Sequence, residues 1–429
     1  MSNANTANGA TVKKLPVKKK KQGKSLFRRV NDWLHLWLGL TSGIIVLIVS
    51  VTGCIYAFER EIRSVTQPYQ FVTPQQQPYL PPSQLRSIAE KEAFGDKAGT
   101  PGNNIKGIMY GTANKAAMAT YTDKTEGFTY IYLNPYNGAV LKKKTLNGDF
   151  FRFILNGHFY LWLPPKIGQP VVATAILIFA VLLVTGLIMW WPKKWNKANR
   201  DKSFKIKWKA SFKRVNYDLH NVLGFYVMLL AFAFAVTGLV WGFKWFSDSY
   251  YWTITGGKSL PKAQKLSSDT TAPKSFTAIA PEDKLWQQAL EQYHGVTGAI
   301  QIQLPEKKAD LFVLNYNPDD GVYYRREFRY FDRNTLKEIP SNALYAKKYA
   351  ESSAGDKLYR MNYDIHVGAI GGLPGKCIAF FASLICASLP VTGFYVWWGK
   401  RNKKKKPSGK LQAKEASLRI AENREPVNG

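Results

Sequence analysis

Four uninterrupted apolar stretches, at residues 33–58, 168–191, 219–243 and 375–398, stand out from otherwise polar sequence. Each reaches the ~20 residues that a helix needs to cross a bilayer, and none carries an acidic or basic residue in its interior. The first is too long for a cleaved signal peptide, and no small-residue cleavage site follows it. Between spans one and two, and between spans three and four, the period changes. Residues 82–94 and 281–293 have the spacing of amphipathic helices after Pro-rich linkers. Alternating runs then predict strands at 105–111, 116–122 and 128–133 in the first segment, and at 299–304, 310–316 and 322–331 in the second. Each segment ends in a turn leading to a last strand, at 134–141 and 332–339. The predicted fold is an α-helical membrane protein with four transmembrane helices and two small extramembrane α+β domains, each a helix on an antiparallel sheet. Domains this small are expected to dock onto the membrane core or onto each other.

The halves of the chain resemble each other. RVNDWLHLWLGL (29–40) precedes span one and RVNYDLHNVLGF (214–225) precedes span three. In both, Gly follows His after four residues (His35 and Gly39, His220 and Gly224), and a Thr-Gly pair begins 17 residues after the His (Thr52-Gly53, Thr237-Gly238). FRFILNGH (151–158) and YRMNYDIH (359–366) each place Arg six residues before His, then reach a Pro/Gly turn and a span ending TGLIMWW or TGFYVWW. The unit is span, outer domain, span, used twice. In order, the chain has a basic tail (1–30), span one (31–58) and a domain (59–150). A His segment with span two (151–192) and a basic loop (193–216) complete the first half. Span three (217–246), a second domain (247–355), a His segment with span four (356–399) and a basic tail (400–429) follow.

Charge orients this layout. The 429 residues hold 60 Lys and Arg against 29 Asp and Glu. Blocks 1–32, 193–218 and 400–429 carry 29 of those cations and only 6 of the acids. The three blocks fall on one side of four spans, which the positive-inside rule makes the cytoplasm, with both termini there and segments 59–167 and 244–374 outside. Tracts such as Lys18–Lys21 and Lys403–Lys406 therefore mark topology and anionic lipid, and no nucleic-acid partner is expected. Three cysteines are too few for a disulfide scaffold; Cys54, Cys377 and Cys386 read as packing residues in apolar spans.

Of five histidines, four sit at the span ends. His35 and His220 form a cytoplasmic pair, His158 and His366 an outer pair, while His294 reads as an exposed residue. Neutral imidazole is a ligand for iron, and helical bundles build cofactor sites from facing helices. The residues thus point to two bis-His haem b groups, one between His35 and His220 and one between His158 and His366, with same-side pairing resting on depth alone. Gly39 and Gly224, one turn after their His, would let a flat macrocycle approach the helix. Arg152 and Arg360 suit either haem propionates or lipid phosphates. The Thr-Gly pairs read as small helix-packing contacts, and Trp190-Trp191 and Trp397-Trp398 as an interfacial belt. No Walker, dinucleotide, hydrolase-triad or zinc motif is present, so electrons must arrive from elsewhere.

Through LHLWLGL, DLHNVLGF, TGLIMWW, IHVGAIGGLPG and the two outer domains, residues 26–402 resemble the PepSY-associated transmembrane proteins, also called iron-regulated membrane proteins. The resemblance implies PepSY-like outer domains, a bacterial inner membrane and haem ligation by His35, His158, His220 and His366. It also implies, for some members, reduction of ferric siderophores. Related chains are fused to a cytoplasmic flavoprotein reductase module, which is lacking here. Pro164-Pro165 after His158 departs from the Gly/Arg-rich turn usual in the family.

The expected function is an electron conduit. A cytoplasmic flavoprotein reductase or quinol is the donor, and ferric iron or a ferric siderophore between the outer domains is the acceptor. Reduction to Fe(II) weakens a hard-oxygen chelate. The rival reading is a non-enzymatic membrane anchor whose outer domains bind a peptide or protease; it leaves four placed histidines without a task. A transporter is a third, lacking the interior charges or broken midplane helix usual for one.

Overall fold

The computed structural model describes residues 24–123, 125–262, 264–275 and 279–402. The tracts at Lys18–Lys21 and Lys403–Lys406, and most of both basic tails, lie outside the described residues. Among the described residues, four helices are long and apolar enough to cross a membrane: Leu26–Ala57, Pro165–Trp190, Phe212–Gly242 and Ala369–Arg401. These are spans one to four, and this is a helical membrane protein. A 32-residue helix such as span one extends ~48 Å at 1.5 Å per residue, beyond the ~30 Å hydrocarbon layer.

Spans one and three each pack against spans two and four. Spans one and three are therefore diagonal partners in a four-helix bundle, as are two and four. The midsection is filled by Leu183, Val227, Ala231, Ala382 and Cys386. Cys54 is also buried and bonds the Phe380 carbonyl, a packing role in an apolar environment.

The strands are β1 (Gly107–Tyr110), β2 (Ala117–Asp123), β3 (Gly127–Leu133), β4 (Val140–Thr145), β5 (Ala299–Gln303), β6 (Phe312–Asn317), β7 (Glu327–Phe331) and β8 (Glu338–Ile339). They form one antiparallel sheet in the order β4-β3-β2-β1-β5-β6-β7-β8. The sequence predicts two small sheets; the structure merges them, because β1 and β5 pair edge to edge from Gly107 with Gln303 to Tyr110 with Ile300. Two edges that would otherwise expose unpaired backbone groups are thereby removed. Helices Pro82–Phe94 and Pro281–Gln292 lie on one face. Their Leu85, Ala89, Leu285, Trp286 and Ala289 share a continuous core with Ile108, Ile131, Ile300 and Ile302. The predicted strand at 322–331 starts only at Glu327. Residues Tyr323 and Tyr324 have strand-like composition, but their N–H groups go to the Asp364 carboxylate instead of a neighbouring strand.

Candidate functional site: two facing imidazole pairs

Each histidine stands on a helix fixed by local chemistry. His35 lies on span one, and His220 lies in a π-helical turn, Leu219–Leu223, inside span three. Such turns within α-helices are often found at functional sites. His158 is on the Phe150–Tyr160 helix, capped by Asp149, whose carboxylate accepts from the Arg152 N–H at 3.0 Å. Asp149 is itself held by Arg63 at 2.6 Å and Lys144 at 2.9 Å. The chain leaves that helix through Leu161 and Trp162, both in the left-handed region, and Pro165 then opens span two. Gly168 makes this tight turn possible: a Cβ there would lie 2.1 Å from the Tyr160 carbonyl oxygen. His366 ends the Asn362–His366 helix, and Gly368 (φ 74°) turns the chain into span four.

The fold brings the four rings together as two facing pairs. His35 and His220 have ring centres 6.4 Å apart with planes at 80°, and His158 and His366 are 6.1 Å apart at 70°. A metal ion held between two imidazoles at ~2.0 Å per bond sets ring centres roughly 6 Å apart.

Every Nδ1 is occupied by a threonine of a neighbouring span. The distances are 2.9 Å from His35 to Thr185 Oγ1, 3.0 Å from His220 to Thr392, 3.2 Å from His158 to Thr52 and 2.8 Å from His366 to Thr237. Each hydroxyl already donates its one proton to a carbonyl in its own helix: Leu182 for Thr185, Ser388 for Thr392, Ile48 for Thr52 and Ala233 for Thr237. The oxygen can then only accept, so Nδ1 carries the hydrogen. Two backbone carbonyls agree, since Val49 O lies 2.9 Å from His158 Nδ1 and Leu389 O lies 3.1 Å from His220 Nδ1. The tautomer is fixed, and Nε2 is left with a free lone pair in all four rings.

The glycine after each threonine makes room for the ring. A Cβ on Gly186, Gly53, Gly238 or Gly393 would stand 3.1–3.3 Å from the Cε1 of His35, His158, His366 or His220 respectively. Asparagine four residues before His adds a further grip in three cases. Asn31 donates to Thr185 O at 3.1 Å, Asn216 to Thr392 O at 3.0 Å and Asn362 to Thr237 O at 3.0 Å. The Thr-Gly pairs are thus more than packing contacts. The sequence signal for the asparagines is their constant spacing in RVNDWLH, RVNYDLH and RMNYDIH; before His158 the position is Ile154.

Arg360 takes a different task from the one its spacing suggests. Its side chain is buried, and the guanidinium donates to Tyr324 O, Lys347 O, Ser352 Oγ and Arg326 O at 2.6–3.1 Å. It is engaged within the protein and unavailable to a propionate or a lipid phosphate. Arg152 is exposed and lines a cavity. Gly39 and Gly224 lie at helix contacts, where a Cβ would meet Leu182 at 3.8 Å and Leu389 at 3.6 Å. His294 is exposed, with φ 53°. Trp190 is buried, stacked at 3.7 Å on Phe225 and donating to Ser203 O, whereas Trp191 and Trp398 are exposed as belt residues would be.

That cavity, about 950 Å³, lies between the sheet, the helix carrying His158 and the turn that follows His366 into span four. Its wall includes Leu155 and Ala369, each three residues from one of those histidines, together with Arg60, Arg152 and Tyr323. Among the described residues, no group of three or more His, Cys, Asp or Glu side chains converges as a metal site. Each imidazole pair brings together two neutral nitrogen donors, fewer than the three or more protein ligands of an all-protein metal site.

Four apolar helices define a helical membrane protein, and its bundle brings two pairs of histidine rings to within 6.4 and 6.1 Å. The chain belongs to the family described as the PepSY-associated TM region, whose family model matches residues 33–400. No curated protein matches it.

Proposed function

We propose that this protein is a bacterial inner-membrane b-type haem protein that carries electrons across the bilayer to a periplasmic acceptor, ferric iron or a ferric siderophore. The observation supporting it is the pair of facing imidazole sets, 6.4 and 6.1 Å between ring centres, each with Nδ1 protonated and Nε2 free. In this reading the halves are two span–domain–span repeats, the joined sheet is a pair of PepSY-like periplasmic domains, and the basic loops and both termini are cytoplasmic. His35 and His220 would hold one haem b, His158 and His366 the other. When bound, that group supplies one-electron redox chemistry at a potential set by ligation, burial and hydrogen bonding.

The chain's own residues do the rest. Thr52, Thr185, Thr237 and Thr392 hold the proton at Nδ1 and orient each ring. Burial of the bundle interior keeps water and competing ligands away. The cavity beside Leu155 and Ala369 receives the acceptor close to the outer pair, with Arg152 facing it. A cytoplasmic flavoprotein reductase or a quinol supplies the electron, and Fe(III) in the acceptor becomes Fe(II), which its hard-oxygen chelator holds less tightly.

The test is reoxidation of anaerobically reduced, detergent-purified protein by a ferric trihydroxamate, with a ferrous chelator present to report Fe(II). Reoxidation with matching Fe(II) is expected. A reduced, haem-loaded protein that passes no electrons to any ferric chelate would overturn the proposed acceptor.

A further inference from the structure

The sequence Asn-Tyr-Asp-Leu/Ile-His occurs at 216–220 and again at 362–366. In each copy the Asn and His grip a neighbouring span, through Thr392 and Thr237 respectively. The Asp does something else. Asp218 and Asp364 are both fully buried, and burying a carboxylate is costly unless it is paired and hydrogen-bonded. Asp218 accepts from the backbone N–H of Lys207 at 3.2 Å and from Arg214 Nε at 2.9 Å. Asp364 accepts from the backbone N–H groups of Tyr323 and Tyr324, each at 2.9 Å in its shorter contact. Asp218, two residues before His220, thus makes local contacts, whereas Asp364, two residues before His366, holds a segment some 40 residues distant in sequence.

The segment held by Asp364 is the hairpin 318–326 between β6 and β7, which lines the cavity through Asp319, Asp320, Tyr323 and Arg325. The corresponding turn between β2 and β3 is short, with Asp123 opposite Gly127. Further contacts fasten the hairpin to the His366 region. Arg360 binds the carbonyls of Tyr324 and Arg326, Val322 and Tyr324 pack with Ala369, Met361 and Val367, and the Tyr323 ring lies 4.9 Å from Tyr363. On its other side, Arg60 donates to Asp320 O and, at 3.3 Å, to Tyr323 Oη.

We propose that Asp364 is a positioning residue that locks the cavity hairpin 318–326 to the helix carrying His366, so that a molecule seated against the hairpin changes the setting of His366. The part concerning what His366 ligates rests on the haem reading; the mechanical coupling does not. The hairpin is then the element of the second half that reports cavity occupancy to the outer imidazole pair, and Arg360 is its second fastening.

The experiment compares the full-length protein in detergent with Asp364→Asn and Arg60→Gln. Asn keeps the size of Asp but turns an N–H towards one of the two tyrosine N–H groups. Arg60→Gln loosens the hairpin from the opposite side and leaves every hydrogen bond of 362–366 intact. Hydrogen–deuterium exchange is read on peptides covering 318–326, 362–367 and, as control, 216–220. In both variants exchange at 318–326 and 362–367 should rise together, by about tenfold in Asp364→Asn, as loss of a hydrogen bond to a charged group predicts. The control peptides should not change. In haem-loaded protein, one of two low-spin EPR signals should move and the other stay. If Asp364→Asn fails to fold, Arg60→Gln alone decides. A hairpin that loosens while 362–367 stays as protected as in the parent overturns the coupling. A parent protein without haem contradicts the proposed function instead, and the exchange result still judges the coupling.

Discussion

Thr185 Oγ1 lies 2.9 Å from His35 Nδ1, although 150 residues separate them in the chain. The hydroxyl spends its proton on Leu182 O, so it accepts the imidazole hydrogen and leaves Nε2 free. Thr185→Val keeps the shape and removes the acceptor. It should weaken retention of the group at the His35/His220 pair by roughly 10–100-fold, the usual cost of losing an outer-shell partner. Titrating haem back into stripped protein and following the Soret band checks this. Equal affinity in Thr185→Val and parent would remove threonine from the account.

Gly186 and Gly393 leave room beside the rings of His35 and His220 that a side chain would fill. With a Cβ only 3.2 Å from His35 Cε1 at Gly186, Ala requires the ring to move by tenths of an ångström, and Val requires more. Gly186→Val should lose the group at the basic end and keep the one at His158/His366, so haem content should halve. Full content in this variant would show that the ring has more freedom than its contacts suggest.

How much of this was legible beforehand depends on the distance over which each signal acts. The spans are readable because an apolar run has one consequence in lipid. The histidine pairs are readable because the halves of the chain repeat RVN, LH and TGxxxWW. Thr52, Thr185, Thr237 and Thr392 are not, because a Thr-Gly pair in an apolar helix looks like a packing contact until its partner is seen. Arg360 misleads for the opposite reason. Its spacing matches Arg152, but three backbone carbonyls and Ser352 occupy it. The strand predicted at 322–331 forms only from Glu327, because Asp364, in another element, claims the Tyr323 and Tyr324 N–H groups.

Asp149 caps the His158 helix and gives the outer site an acid limit. Burial alone would raise its carboxyl, but Arg63 and Lys144 outweigh that and hold it well below the ordinary range. Because the folded value lies below the unfolded one, about 3.9, the stabilisation is complete above that pH and is lost as pH falls towards the folded value. Acid unfolding of the parent should therefore begin below about pH 4, with Asp149→Asn flatter there and less stable at neutral pH. Thermal midpoints between pH 7 and 3 test it; parallel profiles for the two proteins would contradict it.

The join between the two halves of the sheet is stabilised by shared apolar burial. Trp286 is buried and stacks on Tyr110 of β1 with ring centres 4.1 Å apart. Trp286→Ala should cost about 3–5 kcal/mol. It should also raise amide exchange in β1 and β5 together, because one core serves both halves. Destabilisation confined to β5–β8 would indicate two independent units.

The central claim is that each imidazole pair holds one haem b. Oxidised and dithionite-reduced absorption spectra, with a pyridine haemochrome assay, should be recorded on protein expressed with ample haem, beside His35→Ala and His158→Ala. The account predicts two low-spin, reducible haems b per chain in the parent and one in each variant. A parent protein without haem, or variants retaining both, would contradict it, and peptide binding by the extramembrane sheet would then become the leading explanation of the fold.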